Sequence, residues 1–217
     1  VNLHLPEQPQ FDESFQRKLD VLIAWRRDVR RFDDRPVPQP LIDHLLDLAQ
    51  LSPSVGNSQP WRWLRVESLA KRAAIRANFV ACSDAARRVL DTEHAALYDT
   101  LKLEGIDRAP LQFAVFCDRG TSQGLGLGRH TMHEVLEYST VSMITTFWLA
   151  ARAAGLGVGW VSILDPQAVS TLLEVPAGWK FVAYLCVGWP VEEHLDPELE
   201  RFRWQRRTGV GREVRIV

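Results

Sequence analysis

Little in this sequence favours a disulfide-built, membrane-spanning or nucleic-acid-binding protein. Cysteine occurs only three times, as Cys82, Cys117 and Cys186. The set is odd and has no paired spacing, so neither a disulfide framework nor a cysteine-based metal site is supported. Two of the three sit in apolar runs that read as buried strands, the usage of a reducing compartment. No apolar run reaches the ~18 residues that a membrane span needs. Residues 1–10 show no charged start followed by an apolar stretch, so the expected location is the cytoplasm. An excess of either charge is also missing: 26 Lys+Arg stand against 27 Asp+Glu, a formal net charge of -1. There is no overall basic field to attract nucleic acid or anionic lipid, and any bound anion must be held by a local cluster.

Several catalytic signatures are absent as well. No G-x-S-x-G elbow positions a serine nucleophile, and no glycine-rich lysine loop cradles a nucleoside triphosphate. Gly124, Gly126 and Gly128 follow an apparent strand and precede a helix. The third glycine of a dinucleotide fingerprint would fall at Arg129, so this stretch reads as a surface loop or lid. His130, His133 and Glu134 lack the spacing that puts two imidazoles one turn apart, and read as a solvated helix start.

What remains is a chain of 217 residues, 46% hydrophobic and 24% charged, the composition of one folded domain over residues 1–217. Phe15, Leu19, Leu22 and Ile23 form a helical stripe over 13–25, ending where an arginine run begins. Pro40 opens a second helix that stops at Ser52-Pro53. A strand over 61–66 and helical tendency from 68 to about 104 follow, with Gly105 as the stop. The short apolar runs 111–117, 158–164 and 181–187 suit strands buried on both faces. A long apolar helix over 132–154 and a helix opened by Asp165-Pro166 and running to 174 lie between them. The tail from 191 is polar, Arg-rich and aperiodic, and is expected to wrap over another part of the molecule.

Two segments carry candidate chemistry. Arg26, Arg27 and Arg30 put three permanent charges within five residues, and guanidinium forks match phosphate oxygens; taken alone, such a cluster is more often a solvated face neutralised in part by Asp28. The loop over 52–61, S-P-S-V-G-N-S-Q-P-W, packs hydroxyls, amides and a glycine where backbone N–H groups could approach a polar ligand.

Read together, these segments resemble the flavin-dependent nitroreductase superfamily. The likeness rests on R-R-x-x-R, on S-P-S-x-G-x-x-Q-P-W, and on Ala-Gly-Leu-Gly-Val-Gly-Trp at 154–160. A narrower likeness to its 5,6-dimethylbenzimidazole synthases rests on R-R-D-V-R-R-F at 26–32, L-K-L-E-G-I at 101–106 and G-W-V-S-I-L at 159–164. The matches run from about residue 14 to residue 207. The resemblance implies an α+β fold with a central, mainly antiparallel mixed sheet flanked by helices, in a domain-swapped-type homodimer. It implies that Arg26, Arg27, Asp28, Val29, Arg30, Ser54, Leu103 and Ser162 bind FMN, with the Leu103 region approaching from the partner subunit. A looser match adds Arg206 and Arg207 at the phosphate, and Gln59. Asp28 and Ser162 are implied to be the catalytic pair that marks the synthases.

The implied reaction consumes its flavin. Reduced FMN is substrate, molecular oxygen is co-substrate, and the products are 5,6-dimethylbenzimidazole and erythrose 4-phosphate, with a separate flavin reductase as a possible supplier. Such chemistry needs a site closed to bulk water. Asp28 is expected to remove a proton from the ribityl chain or to position the group that does so. A carboxylate among arginines is expected to have a lowered pKa. The competing readings are an FMN reductase that uses NAD(P)H on nitroaromatic or halogenated acceptors, and a flavin-binding protein without turnover.

Overall fold

A computed structural model describes residues 9–217; residues 1–8, most of the segment from which the location was inferred, lie outside the described residues. The chain order is α1 (Glu13–Trp25), α2 (Gln39–Ala49), β1 (Trp61–Arg65), α3 (Leu69–Arg88), α4 (Thr92–Tyr98), β2 (Leu111–Asp118), α5 (Val135–Ala153), β3 (Gly157–Val161), α6 (Pro166–Leu172), β4 (Trp179–Gly188) and α7 (Glu198–Arg201). The four strands form one sheet in the order β1-β2-β4-β3, and every pairing between them is antiparallel.

The sheet is covered on both faces, which is why its strands read as unbroken apolar runs. Along β2, Leu111, Phe113 and Val115 join Met143, Ile144 and Phe147 of α5 in one core. The alternate residues Ala114 and Phe116 join Ile75 and Phe79 of α3 and Val169 of α6 in the other. The period of two thus divides one strand between two cores.

The helical tendency across 68–104 resolves into two helices and an irregular stretch. Asp91 accepts a hydrogen bond from the His94 N–H at 2.9 Å and so starts α4 as a separate helix. Arg87 then clamps Asp99 just past its end, and residues 99–104 leave the helical path. The run at 158–164 stops being a strand at Val161, because Ser162–Leu164 must turn out of the sheet to reach α6. Asp165 caps α6 by accepting from the N–H groups of Gln167 and Ala168. The stripe on α1 differs more from expectation. No residue of α1 is buried, and Val21 and Ile23 are 57% and 52% exposed.

Between α1 and α2 the chain runs as a strap, residues 26–32, along the outer edge of β3. The Val29 N–H donates to the Val158 carbonyl at 3.0 Å, making a short parallel bridge centred on Asp28 and Val158. Further along, the Val191 N–H donates to the Arg31 carbonyl at 3.1 Å. The close approach depends on two glycines: a Cβ at Gly159 would lie 2.2 Å from the Val29 carbonyl oxygen, and one at Gly157 2.7 Å from Val29 Cγ2. The tail wraps over the strap as expected, with Arg27 Nε donating to the Leu195 carbonyl at 2.6 Å.

Gly159→Ala should therefore lower stability by about 1–3 kcal/mol, the usual cost of overpacking. Gly209→Ala, where nothing lies within 4 Å, should change little. Urea denaturation of both variants measures the difference, and equal midpoints would show that the strap is not docked on β3.

Candidate functional site

The strap delivers its side chains in two directions. Asp28 turns towards β3, where its Oδ1 accepts from the Trp160 N–H at 2.8 Å. Its Oδ2 accepts from Arg30 Nε at 2.7 Å, and Arg30 also donates to the Lys102 carbonyl at 2.6 Å. Arg30, with 11% of its side chain exposed, is thus occupied in holding Asp28 and the 102–104 turn. That turn is fixed in turn by Glu104, a buried carboxylate that accepts from Lys102 Nζ at 2.7 Å and from the Ile106 N–H at 2.6 Å.

Arg26 and Arg27 point elsewhere. The Arg26 guanidinium lies 4.9 Å from the centre of the Trp148 ring, which itself packs 6.5 Å from Trp160. Its side chain has no hydrogen-bond acceptor among the described residues. Burial, and then the nearby charge of Arg207, hold both Arg26 and Arg27 below the usual guanidinium range. Three cations from the strap and the tail therefore act on one another, with Asp28, Asp196 and Glu200 offsetting them only in part, an arrangement suited to a phosphate. Arg207, only loosely indicated by sequence, belongs to this group; no charge interaction of Arg206 with Arg26 or Arg27 stands out.

Asp28 corrects one expectation. Burial is the largest influence on its carboxyl and pushes its pKa up, against the opposing pull of Arg30 and the Trp160 N–H, with Glu198 adding a further push upward. In the single chain 31% of the Asp28 side chain is still exposed, yet the loss of bulk water outweighs the ion pair. The sequence argument counted neighbouring arginines but could not count the water removed.

Ser162 follows the strand end, two residues beyond Trp160 and so roughly 7 Å along the chain from the amide that holds Asp28. It is exposed, and its hydroxyl has no partner among the described residues. Ser54 lies apart. Its Oγ accepts from the Gln59 N–H at 3.1 Å, and the adjoining Val55 N–H donates to Ser139 Oγ at 3.1 Å. Ser139 and Trp148 are nine residues apart on α5, about 14 Å along the helix axis at 1.5 Å per residue. One chain therefore does not bring Ser54 to the arginines.

Leu103 lies beside the strap of its own chain: the Lys102 carbonyl accepts from Arg30, and Leu103 packs on the same core as Val29. Gln59 stays with the Ser54 loop. The glycine-rich loop is clasped to that same loop: a Cβ at Gly56 would meet the Gly124 carbonyl oxygen at 2.9 Å, and Gln123 Nε2 donates to the Asn57 carbonyl at 2.8 Å. Trp148 was not singled out by sequence, since one tryptophan in an apolar helix reads as core. Glu198 gave no signal in an aperiodic tail.

Comparison with known proteins bears on the family and the fold. The Nitroreductase family model matches residues 23–189. The chain is 57% identical to a 5,6-dimethylbenzimidazole synthase of Rhodospirillum rubrum, over 92% of this chain and 94% of that one. It is 48% identical to a second protein of that name from Rhodobacter capsulatus, over 90% and 94% of the two chains. Among solved structures, oxidized iodotyrosine deiodinase bound to FMN and 3-iodo-L-tyrosine shares the fold, with a TM-score of 0.69 at 23% identity over 81% of this chain and 91% of that one.

A carboxyl whose folded-state pKa is raised destabilises the fold while ionised. That cost is complete above the raised value, shrinks as pH falls through it, and is gone below the ordinary value of 3.8. The stability of Asp28→Asn relative to the parent should therefore rise from pH 4 to pH 8, whatever offset the lost Arg30 pairing adds at every pH. Urea midpoints across that range test this, and a difference that falls or stays flat from pH 4 to pH 8 would contradict the raised pKa.

Proposed function

This chain belongs to the nitroreductase family, and on that premise we infer that it is an oxidoreductase that converts reduced FMN and molecular oxygen into 5,6-dimethylbenzimidazole, a lower ligand of cobalamin, and erythrose 4-phosphate. The observation that carries this reading is Asp28: a carboxylate pinned by the Trp160 N–H and Arg30, raised in proton affinity, beside a set of underpaired arginines. Reduced FMN supplies the ring system that reacts with oxygen and from which the benzimidazole is built.

The residues present fit such a molecule. Arg26, Arg27 and Arg207 bind the phosphate by charge-assisted hydrogen bonds. Arg30 holds Asp28 in place, and Val29 anchors both to β3. Asp28 receives a proton from the ribityl chain, a role helped by its raised proton affinity, since a base works best with a pKa near the working pH. The free Ser162 hydroxyl donates to the ligand near the same point. Leu103 shields one side, and the clasped 52–59 and 120–130 loops exclude water when closed.

The working unit in this reading is a homodimer with exchanged segments. Ser54 is too far from the strap of its own chain, and the Ser54 of a second copy supplies the contact. The uncovered apolar residues of α1, together with Tyr138 and Val141 on α5, provide a surface for that copy. A separate flavin reductase delivers the reduced flavin. Among the described residues no helix is long and apolar enough to cross a membrane, and the reading places the enzyme in the cytoplasm.

The test is to mix the protein with chemically reduced FMN, admit oxygen, and look for 5,6-dimethylbenzimidazole by mass. Asp28→Asn and Ser162→Gly should retain flavin binding, and Asp28→Asn should lose about 10²–10⁴-fold in product formation, the range for a general base. Steady NAD(P)H oxidation with a nitroaromatic acceptor, the FMN recovered intact and no benzimidazole formed, would overturn the reading.

A further inference from the structure

If the site is closed to bulk water when the flavin is bound, as the function above requires, a proton taken up by Asp28 needs another way out. Asp28 lines, with other residues of the strap and with the tail, a cavity of about 40 Å³. At ~10–15 Å³ for each water centre, it has room for about three waters. Its far wall carries Glu198, whose side chain is only 8% exposed.

We propose that Glu198 is a positioning residue for this reaction: it takes up, through water in this cavity, the proton that Asp28 has accepted, and passes it to the surface. The proposal rests on the role given to Asp28 above. The balance is simple. A carbon–hydrogen bond of the ribityl chain breaks: its proton joins the Asp28 carboxylate, and its electron pair stays with the substrate, where the oxygen co-substrate takes it up. Cavity water then carries a proton to the Glu198 carboxylate, and exchange with solvent at the rim restores both groups. No electrons move in the relay; oxygen remains the oxidant.

The other charged groups around the cavity favour Glu198 over its neighbours. On the strap, Arg27 is tied to the Leu195 carbonyl and Arg30 to Asp28. Arg31 divides itself between Glu192 at 2.8 Å and Glu198 at 3.3 Å, so Glu198 has the looser hold. From α5, Arg152 binds Glu193 at 2.5 Å, and Asp196, 3.5 Å from Arg201 of α7, is half exposed to bulk water where Glu198 is buried. At the rim, His194 Nε2 stands 3.5 Å from Glu192 Oε2, and both side chains are open to solvent. After burial, the Glu198 charge adds to the raised proton affinity of Asp28, and both residues line the same cavity.

Glu198→Gln keeps an oxygen for Arg31 while removing the charge. In the flavin-free protein, the ¹³C NMR titration of the Asp28 carboxyl, assigned with Asp28→Asn, should move to lower pH in Glu198→Gln. In product formation, Glu198→Gln should lower the rate about tenfold or more and move the acid limb of the pH profile downward. Glu198→Ala should regain rate as formate is added, because a small carboxylate can enter the vacated space. An Asp28 titration that does not move, or a Glu198→Gln enzyme with the parental rate and pH profile, would overturn the proposal. If the parent protein makes no benzimidazole, the function fails on its own account, while the titration still decides whether the two carboxylates are coupled.

Discussion

The docking of a charged strap against two glycines is the constraint on which the rest of the site depends. Without Cβ atoms at Gly157 and Gly159, Val29 can sit against β3 and bond to Val158. That one contact puts Asp28 beneath the Trp160 amide and sends the Arg26 guanidinium over Trp148. The strap could not stay there on charge alone, since exposed ion pairs contribute about 0–1 kcal/mol. Phe32, 2% exposed and packed against Gly105 and Gly188, is the anchor; full burial of such a ring contributes roughly 2–3 kcal/mol. Apolar residues hold the segment down, and the polar ones between them are thereby placed.

This division of labour explains why Asp28 and the arginines behave unlike a surface cluster. In water, alternating charges in one segment largely neutralise each other. Here Arg30 is turned inward to Asp28 and Lys102, while Arg26 lies over Trp148 and Arg27 bonds to the Leu195 carbonyl, both within the influence of the Arg207 charge. Charges adjacent in sequence are thus separated in space into a buried pair and an underpaired group of cations. Both arrangements cost stability in the free chain, a common feature of sites built for a charged ligand.

The strands, the main helices and the capping of α6 were legible because each follows from a short-range rule: a two-residue or 3.6-residue period, a proline, a capping aspartate. The antiparallel order of the sheet came only through family likeness, since a strand buried on both faces reads the same in either sense. The arginine segment was legible as an anion site and Asp28 as part of it. Its raised pKa was not, because desolvation depends on what the tail and β3 place around it. Leu103 and Ser54 show the same limit at longer range: which of them lies beside the strap depends on the 102–104 turn and on the length of α5. The α1 stripe had the right period, but a period cannot tell whether the covering surface lies in the same chain.

The group formed by Arg26, Arg27 and Arg207 has a consequence for any measurement made on the protein in solution. Mutually repelling cations whose nearby acids offset them only in part will accept small anions as well as a nucleotide phosphate. Inorganic phosphate or sulfate in a buffer then acts as a competitor, and added salt weakens the attraction for every anion together. The flavin affinity measured for this chain is accordingly a joint property of protein and medium.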